Sequence, residues 1–141
     1  MKIDDDIPPS YTEITPHKMY SYAYSVDDWD PASIPVREES IGQAMLCAND
    51  ILGAYKTKYT GLSGLHAKQE MEILNPPRLG KKVTINARHV DKYVKRGHQY
   101  RVLYSEAVDE DGVVYLRGRA HETFASSIGQ VKGAFLEPPQ E

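Results

Sequence analysis

From Leu65 onward the chain alternates. Leu65, Ala67, Gln69, Met71 and Ile73 take turns with His66, Lys68, Glu70 and Glu72, and the run closes at NPPRLG, residues 75–80. A period of two marks a strand with one face toward a core. Val83, Ile85 and Ala87 open a second run that reaches Tyr93 and turns at KRGHQ, residues 95–99. Tyr100, Val102, Tyr104 and Val108 make a third, and DEDG at 109–112 is a hairpin signal leading into VVYLRGRAHETF. Successive antiparallel strands are expected from these runs.

Upstream the period changes to that of a helix. Thr15 followed by Pro16 is a start signal, because the threonine hydroxyl can accept an orphan amide and proline has no amide to waste. Met19, Tyr22, Ala23 and Val26 follow at helical spacing, and Asp27, Asp28, Asp30 and Pro31 should end the helix. Ser40 and Gln43 form a capping box before IGQAMLCANDILGAY, residues 41–55. Ile41, Ala44, Met45, Ala48, Ile51, Leu52 and Tyr55 share one face, and Leu46, Cys47 and Ala54 extend the apolar surface around it. A helix apolar on most sides is buried on most sides. The pattern predicts an α+β domain, its antiparallel sheet wrapped around a long central helix of roughly 24 Å.

Composition narrows the picture little further. A chain of 141 residues with 40% hydrophobic residues fills one core, so a single domain over 15–128 is expected. Residues 1–14 and 129–141 combine acidic residues with Pro-Pro pairs and are expected to be a loosely held N-terminal extension and C-terminal tail. A formal net charge of -3 does not favour nucleic acid. Neither an apolar leader nor a membrane-spanning stretch is seen, so a cytoplasmic protein without membrane contact is expected. Cys47 is the single cysteine, excluding an internal disulfide, and its apolar surroundings suit a buried hydrophobe rather than a nucleophile.

Three stretches, SVDDWDPAS, IGQAMLCA and LHAKQEMEILNPPRLGKKV, carry a resemblance over about residues 15–124 to a known family, the MaoC-like dehydratases and R-specific enoyl-CoA hydratases. SVDDWDPAS is similar to the family's catalytic loop G-D-x-N-P-x-H, IGQAMLCA to its helix start I-A-H-G-M-L, and LHAKQEMEILNPPRLGKKV to the strand, turn and strand that follow. The resemblance implies a hot-dog fold and an acyl-thioester ligand on CoA or a carrier, with no separate cofactor. It also implies edge-to-edge pairing with a homologous hot-dog domain, as a homodimer or heteromer. Hydration of an enoyl thioester needs a base for water, an acid for the alpha carbon and a donor for the enolate oxygen, the last supplied by a helix N-terminus.

Carried over by position, the family's loop aspartate falls on Asp28, its asparagine on Asp30 and its proline on Pro31, whereas its catalytic histidine falls on Ser33. A serine hydroxyl cannot exchange protons near neutrality as an imidazole does. In the helix motif Gln43 replaces histidine and Ala44 replaces glycine, leaving the residue 44 amide as donor. The resemblance therefore implies a thioester site lined by Trp29, Ser33, Gln43, Ala44 and Met45, with Asp28 and a relocated His66 as candidate catalytic groups. Lys92, Lys95 and Arg96 are candidates for the CoA phosphates. His98 is expected to face solvent; His17 and His121 have no carboxylate partner evident in sequence, and His89 could face either side. No histidine has metal-ligand spacing, and no metal is expected.

The expectation is a catalytically degenerate hydratase or dehydratase subunit that pairs with a homologous catalytic domain. A self-sufficient hydratase or thioesterase using Asp28, His66 or both stays open, as does a non-enzymatic acyl-CoA-binding module.

Overall fold

The computed structural model describes residues 6–27, 45–57 and 64–124. Its frame is one antiparallel sheet in the order β1-β3-β4-β5-β2, formed by Asp6–Glu13 (β1), Gly64–Ile73 (β2), Lys82–Lys95 (β3), His98–Asp109 (β4) and Val114–Phe124 (β5). The last four are the strands that alternation predicts. β1 is a correction: residues 6–13, expected in a loose extension, pair with β3 from Asp6↔Arg88 to Glu13↔Lys82. The pairing slips between Ile7 and Ser10, across Pro8 and Pro9. Proline cannot donate to a ladder, so such a strand fits only at an edge or a bulge.

Helix α1, Pro16–Ser25, begins as the sequence predicts, with the Thr15 hydroxyl accepting from the Lys18 amide at 3.0 Å. Met19 and Ala23 face the core, while Val26 lies beyond the last turn and is exposed. The long helix expected over 41–55 takes a different form in its described part. Met45–Cys47 is a turn, α2 spans only Ala48–Leu52, and a 3-10 helix covers Ala54–Thr57. Gly53 ends α2, its amide donating to Asn49 O at 3.0 Å.

These short pieces still do the central helix's work of covering one face of the sheet. Leu46, Cys47, Ile51 and Ala54 cluster with Val83 and Ile85 of β3, Ala107 of β4, and Tyr115 and Leu116 of β5, joined by Ile14 and Met19. Further along, Tyr55 packs with Ile7 and Leu103. Burying such aliphatic and aromatic side chains is the main stabilising term, at about 1.5–3 kcal/mol for each full burial.

Irregularities in the ladders decide which way several side chains point. Ala67 is an extra residue in β2 between the pairs His66↔Glu122 and Lys68↔His121. Val90 is extra in β3, between His89↔Leu103 and Asp91↔Val102. Tyr115 is extra in β5, between Ala107↔Leu116 and Val108↔Val114. A bulge flips the face of whatever follows it. Tyr115 and Leu116 can therefore both be fully buried although they are neighbours on one strand.

Candidate functional site

The covered face carries the sheet's small and polar interior. Opposed residues share a face, which places Ala87, Ser105 and Gly118 in one row, His89, Leu103, Ala120 and Gln69 in the next, and Arg101, Glu122 and His66 in the row after. His89 (0% exposed), Ser105 (3%) and Glu122 (5%) are buried there. Among the described residues the Ser105 hydroxyl and the Gln69 carbonyl oxygen have no hydrogen-bond partner. Gly118 has no room for a side chain, since a β-carbon would run into the Glu70 backbone carbonyl. That close approach binds β2 tightly to β5.

Of the residues singled out in sequence, Asp28, Trp29, Ser33, Gln43 and Ala44 lie outside the described residues, as does Ser40 of the capping box. Met45 opens the described part of the central segment and is 37% exposed, whereas Leu46 and Cys47 behind it are buried. Burial, with the Asp50 charge added, pushes the Cys47 thiol up to about 12, so it stays protonated and inert.

His66 is on β2, solvent exposed, with Nε2 3.1 Å from the Lys68 carbonyl. The Ala67 bulge sets it opposite the buried Glu122. It is far from the start of the described part of the central segment. Cys47 packs at the level of Leu116, six residues of β5 away from Glu122, which is roughly 20 Å at the rise of a strand. One chain therefore does not bring His66 and the Met45 end together.

The other histidines are placed elsewhere. His17 is exposed on α1 beside the Ser21 hydroxyl at 3.4 Å, and His89 is buried on the covered face. His98, expected to face solvent, starts β4 and is half-buried, with a fully covered Nδ1. His121 lies on the opposite face of the sheet and does have a carboxylate nearby, Glu70 Oε1 at 3.9 Å from Nε2. Its Nδ1 shares a 3.0 Å hydrogen bond with the Tyr93 hydroxyl. The carboxylate favours the proton on Nε2, leaving Nδ1 to accept from tyrosine. Burial, assisted by Lys68, holds the His121 pKa below its ordinary value against the pull of Glu70 and Asp91.

Around His121 the face turned away from the core cluster carries ion pairs on β2 and β5. Arg117 meets Glu72 at 3.0 Å, Lys68 meets Glu70 at 3.1 Å, and Arg119 is 4.0 Å from Glu70. Lys92, Lys95 and Arg96 come together at the end of the β3–β4 hairpin, all exposed. The register adds a residue that sequence reading missed, Arg101, opposite Lys92. Among the described residues no group of three or more His, Cys, Asp and Glu could hold a metal ion. No helix among them is long and apolar enough to cross a membrane.

By sequence, no family model and no curated protein matches the chain. Solved structures do match it by fold. The R-hydratase PhaJ1 from Pseudomonas aeruginosa superposes with a TM-score of 0.75 at 16% identity, covering 88% of this chain and 82% of that one. A MaoC-like dehydratase from Rhodospirillum rubrum gives 0.72 at 13% identity, covering 99% and 96%. The HadBC (3R-hydroxyacyl-ACP dehydratase) complex from Mycobacterium tuberculosis gives 0.65 at 12% identity, covering 86% and 99%. The five-stranded sheet and its short covering helices are thus a hot-dog fold.

Proposed function

We propose that this chain is a hot-dog subunit of acyl-thioester metabolism, of the hydratase and dehydratase kind, working beside a homologous domain that supplies the imidazole it lacks. The observation that carries the reading is the placement of the histidines. All five fall within the described residues, and His66, the sequence candidate for a relocated base, stands at the far end of the sheet from Met45. With Ser33 where the family pattern has histidine, Asp28 has no neighbouring imidazole in sequence to share a proton with. Trp29, Ser33, Gln43, Ala44 and Met45 would then line a site that accommodates a thioester. Lys92, Lys95 and Arg96 would serve the phosphate-bearing part of its carrier, whether CoA or a protein.

Pairing is supported by the two sheet edges, which differ. β1 carries the Pro8-Pro9 irregularity, which blunts an edge. β2 has no proline and leaves Leu65 (44%) and Ile73 (50%) exposed, the surface a partner strand would cover. Among the structural neighbours, HadBC was solved as a complex.

A second reading is favoured by the opposition of His66 and Glu122. Antiparallel pairing of two β2 strands reverses direction, so each His66 would be carried toward the partner's Ile73 end, nearer the Met45 turn. A self-sufficient hydratase using Asp28 and His66, or a thioesterase in the same site, would then be a symmetric dimer.

The deciding experiment is turnover of an enoyl-CoA panel by wild type, Ser33→His and His66→Ala. The degenerate-subunit reading expects no hydration by wild type and measurable hydration by Ser33→His. Turnover by wild type that is abolished in His66→Ala would replace it with the second reading.

A further inference from the structure

The β3–β4 hairpin outruns the core. The last hairpin row paired with β5 is that of Arg101, opposite Glu122, and residues 93–100 extend beyond it as a two-stranded arm. The projection is rigid. Tyr93 and Tyr100 stack with centroids 5.0 Å apart and planes 9° from parallel, and Tyr93 is tethered to His121 on β5. The turn is a tight one, with Arg96 at φ 52° and Gly97 at φ 79°. Glycine adopts such angles freely, whereas an arginine at the first position costs backbone strain that asparagine or glycine would largely avoid. The arm thus keeps a cation at its tip where relaxed geometry would not choose one.

Its charges are also unspent. Lys18, Lys68, Lys81, Arg117 and Arg119 each face a carboxylate within the chain. Lys92, Lys95 and Arg96 have no such ion pair among the described residues, while Arg101 stands opposite the buried Glu122 of β5. Arg101 donates to neutral acceptors, Tyr100 O and Gln99 Oε1, both at 3.4 Å. The Asp91 carboxylate instead accepts the Lys92 backbone amide at 2.8 Å. Strand alternation puts Lys92 and Arg101 on one side at the base of the arm and Lys95 on the other side, with Arg96 at the end. Cations that wrap a protrusion, rather than converge in a pocket, fit an extended anionic surface better than one phosphate group. The chain's formal net charge is -3, so the arm's cations stand out against a net negative remainder.

We propose that this arm docks an acidic carrier protein that presents the acyl thioester on a flexible prosthetic tether. This rests on the acyl-thioester reading above and selects between its two carriers. The spacing suits a tether, since Arg101 stands six residues, about 20 Å of strand, from the Ala107 row where Cys47 packs.

The test titrates fluorescent apo and holo acyl-carrier protein, CoA, acyl-pantetheine and a short single-stranded RNA against wild type, Lys95→Glu/Arg96→Glu and Lys82→Glu. The substituted side chains are exposed, and circular dichroism checks that each variant is folded. Wild type and Lys82→Glu should bind apo and holo carrier alike and lose affinity as salt rises. The double variant should bind both roughly tenfold more weakly. Equal carrier binding by wild type and the double variant overturns the proposal. So does a charge-dependent loss seen only with CoA or only with RNA, which would make the arm a nucleotide or nucleic-acid contact. Acyl-pantetheine has neither phosphate nor protein and reports the thioester site alone. If it binds while no carrier does, the arm proposal fails by itself; if it does not bind while carrier binding still depends on the arm, the thioester reading fails instead.

Discussion

Asp109 is buried at the end of β4 with an exposure of 5%, and it ties the β4–β5 hairpin to the core. Its Oδ2 accepts the Tyr115 hydroxyl at 2.8 Å, and its Oδ1 accepts the amides of Asp111 and Val113 at 2.9 and 3.0 Å. Tyr115 is fully buried in the cluster that seats Leu46 and Cys47, and its hydroxyl in turn accepts the Arg78 amide at 3.3 Å. In Asp109→Ala the buried hydroxyl loses its acceptor, at about 1–3 kcal/mol. The two hairpin amides can turn to water, costing about 0.5–1.5 kcal/mol each. A total of about 2–6 kcal/mol is expected, a large share of the stability of a small domain.

The sharper assay is a double-mutant cycle of Asp109→Asn and Tyr115→Phe, by urea unfolding at neutral pH. The two groups touch, so a coupling of about 1–2 kcal/mol is expected with the urea slope unchanged. Burial raises the Asp109 pKa, but the bonds from Tyr115, Val113 and Asp111 outweigh it, and the net direction is down. A depressed carboxyl pKa contributes stability above the unfolded value of about 4, lost as pH falls through the folded value. The coupling should therefore shrink in acid. Coupling below about 0.5 kcal/mol at neutral pH would refute the claim that this pair holds the hairpin.

Gly118→Ala should push β2 off β5, because the new methyl meets the Glu70 carbonyl, which cannot yield as a flexible side chain could. A loss of about 1–3 kcal/mol is expected, and hydrogen exchange should show β2 amides losing protection while the β3–β4 ladder keeps it; unchanged protection of β2 would show that the strands can part slightly at no cost. His121, whose pKa is lowered chiefly by burial, binds its proton more readily in the unfolded chain. Stability should accordingly fall as pH drops below about 6.5, down to the folded pKa, and thermal melts of His121→Gln should lack that part of the decline. Parallel profiles for the two proteins would count against it.

Much of the sheet is legible in the sequence, because β2 to β5 announce themselves by period-two alternation and α1 by its Thr15-Pro16 start. β1 is not legible, since Pro8-Pro9 reads as a break and only the neighbouring β3 edge makes a strand of it. The bulges at Ala67, Val90 and Tyr115 are equally silent, because one inserted residue leaves composition and spacing almost unchanged while it reverses a face. That is why His66 lands opposite Glu122 and why Tyr115 joins the core. The end of α2 has a signal in Gly53, which the apolar residues on either side obscure. Arg101 shows the same limit, for its place opposite Lys92 is a matter of register and not of spacing.

The difference between the two sheet edges also sets how many neighbours a molecule of this shape can take. A sheet with two open edges is divalent and can add copies without end, as fibrils do. Here the irregular Pro8-Pro9 stretch removes one valence and leaves the other along β2. Once that strand is matched, no second regular edge remains among the described residues for a third chain. If that edge pairs as proposed, growth by edge pairing stops at two, and the exposed Leu65 and Ile73 become part of a self-limiting contact.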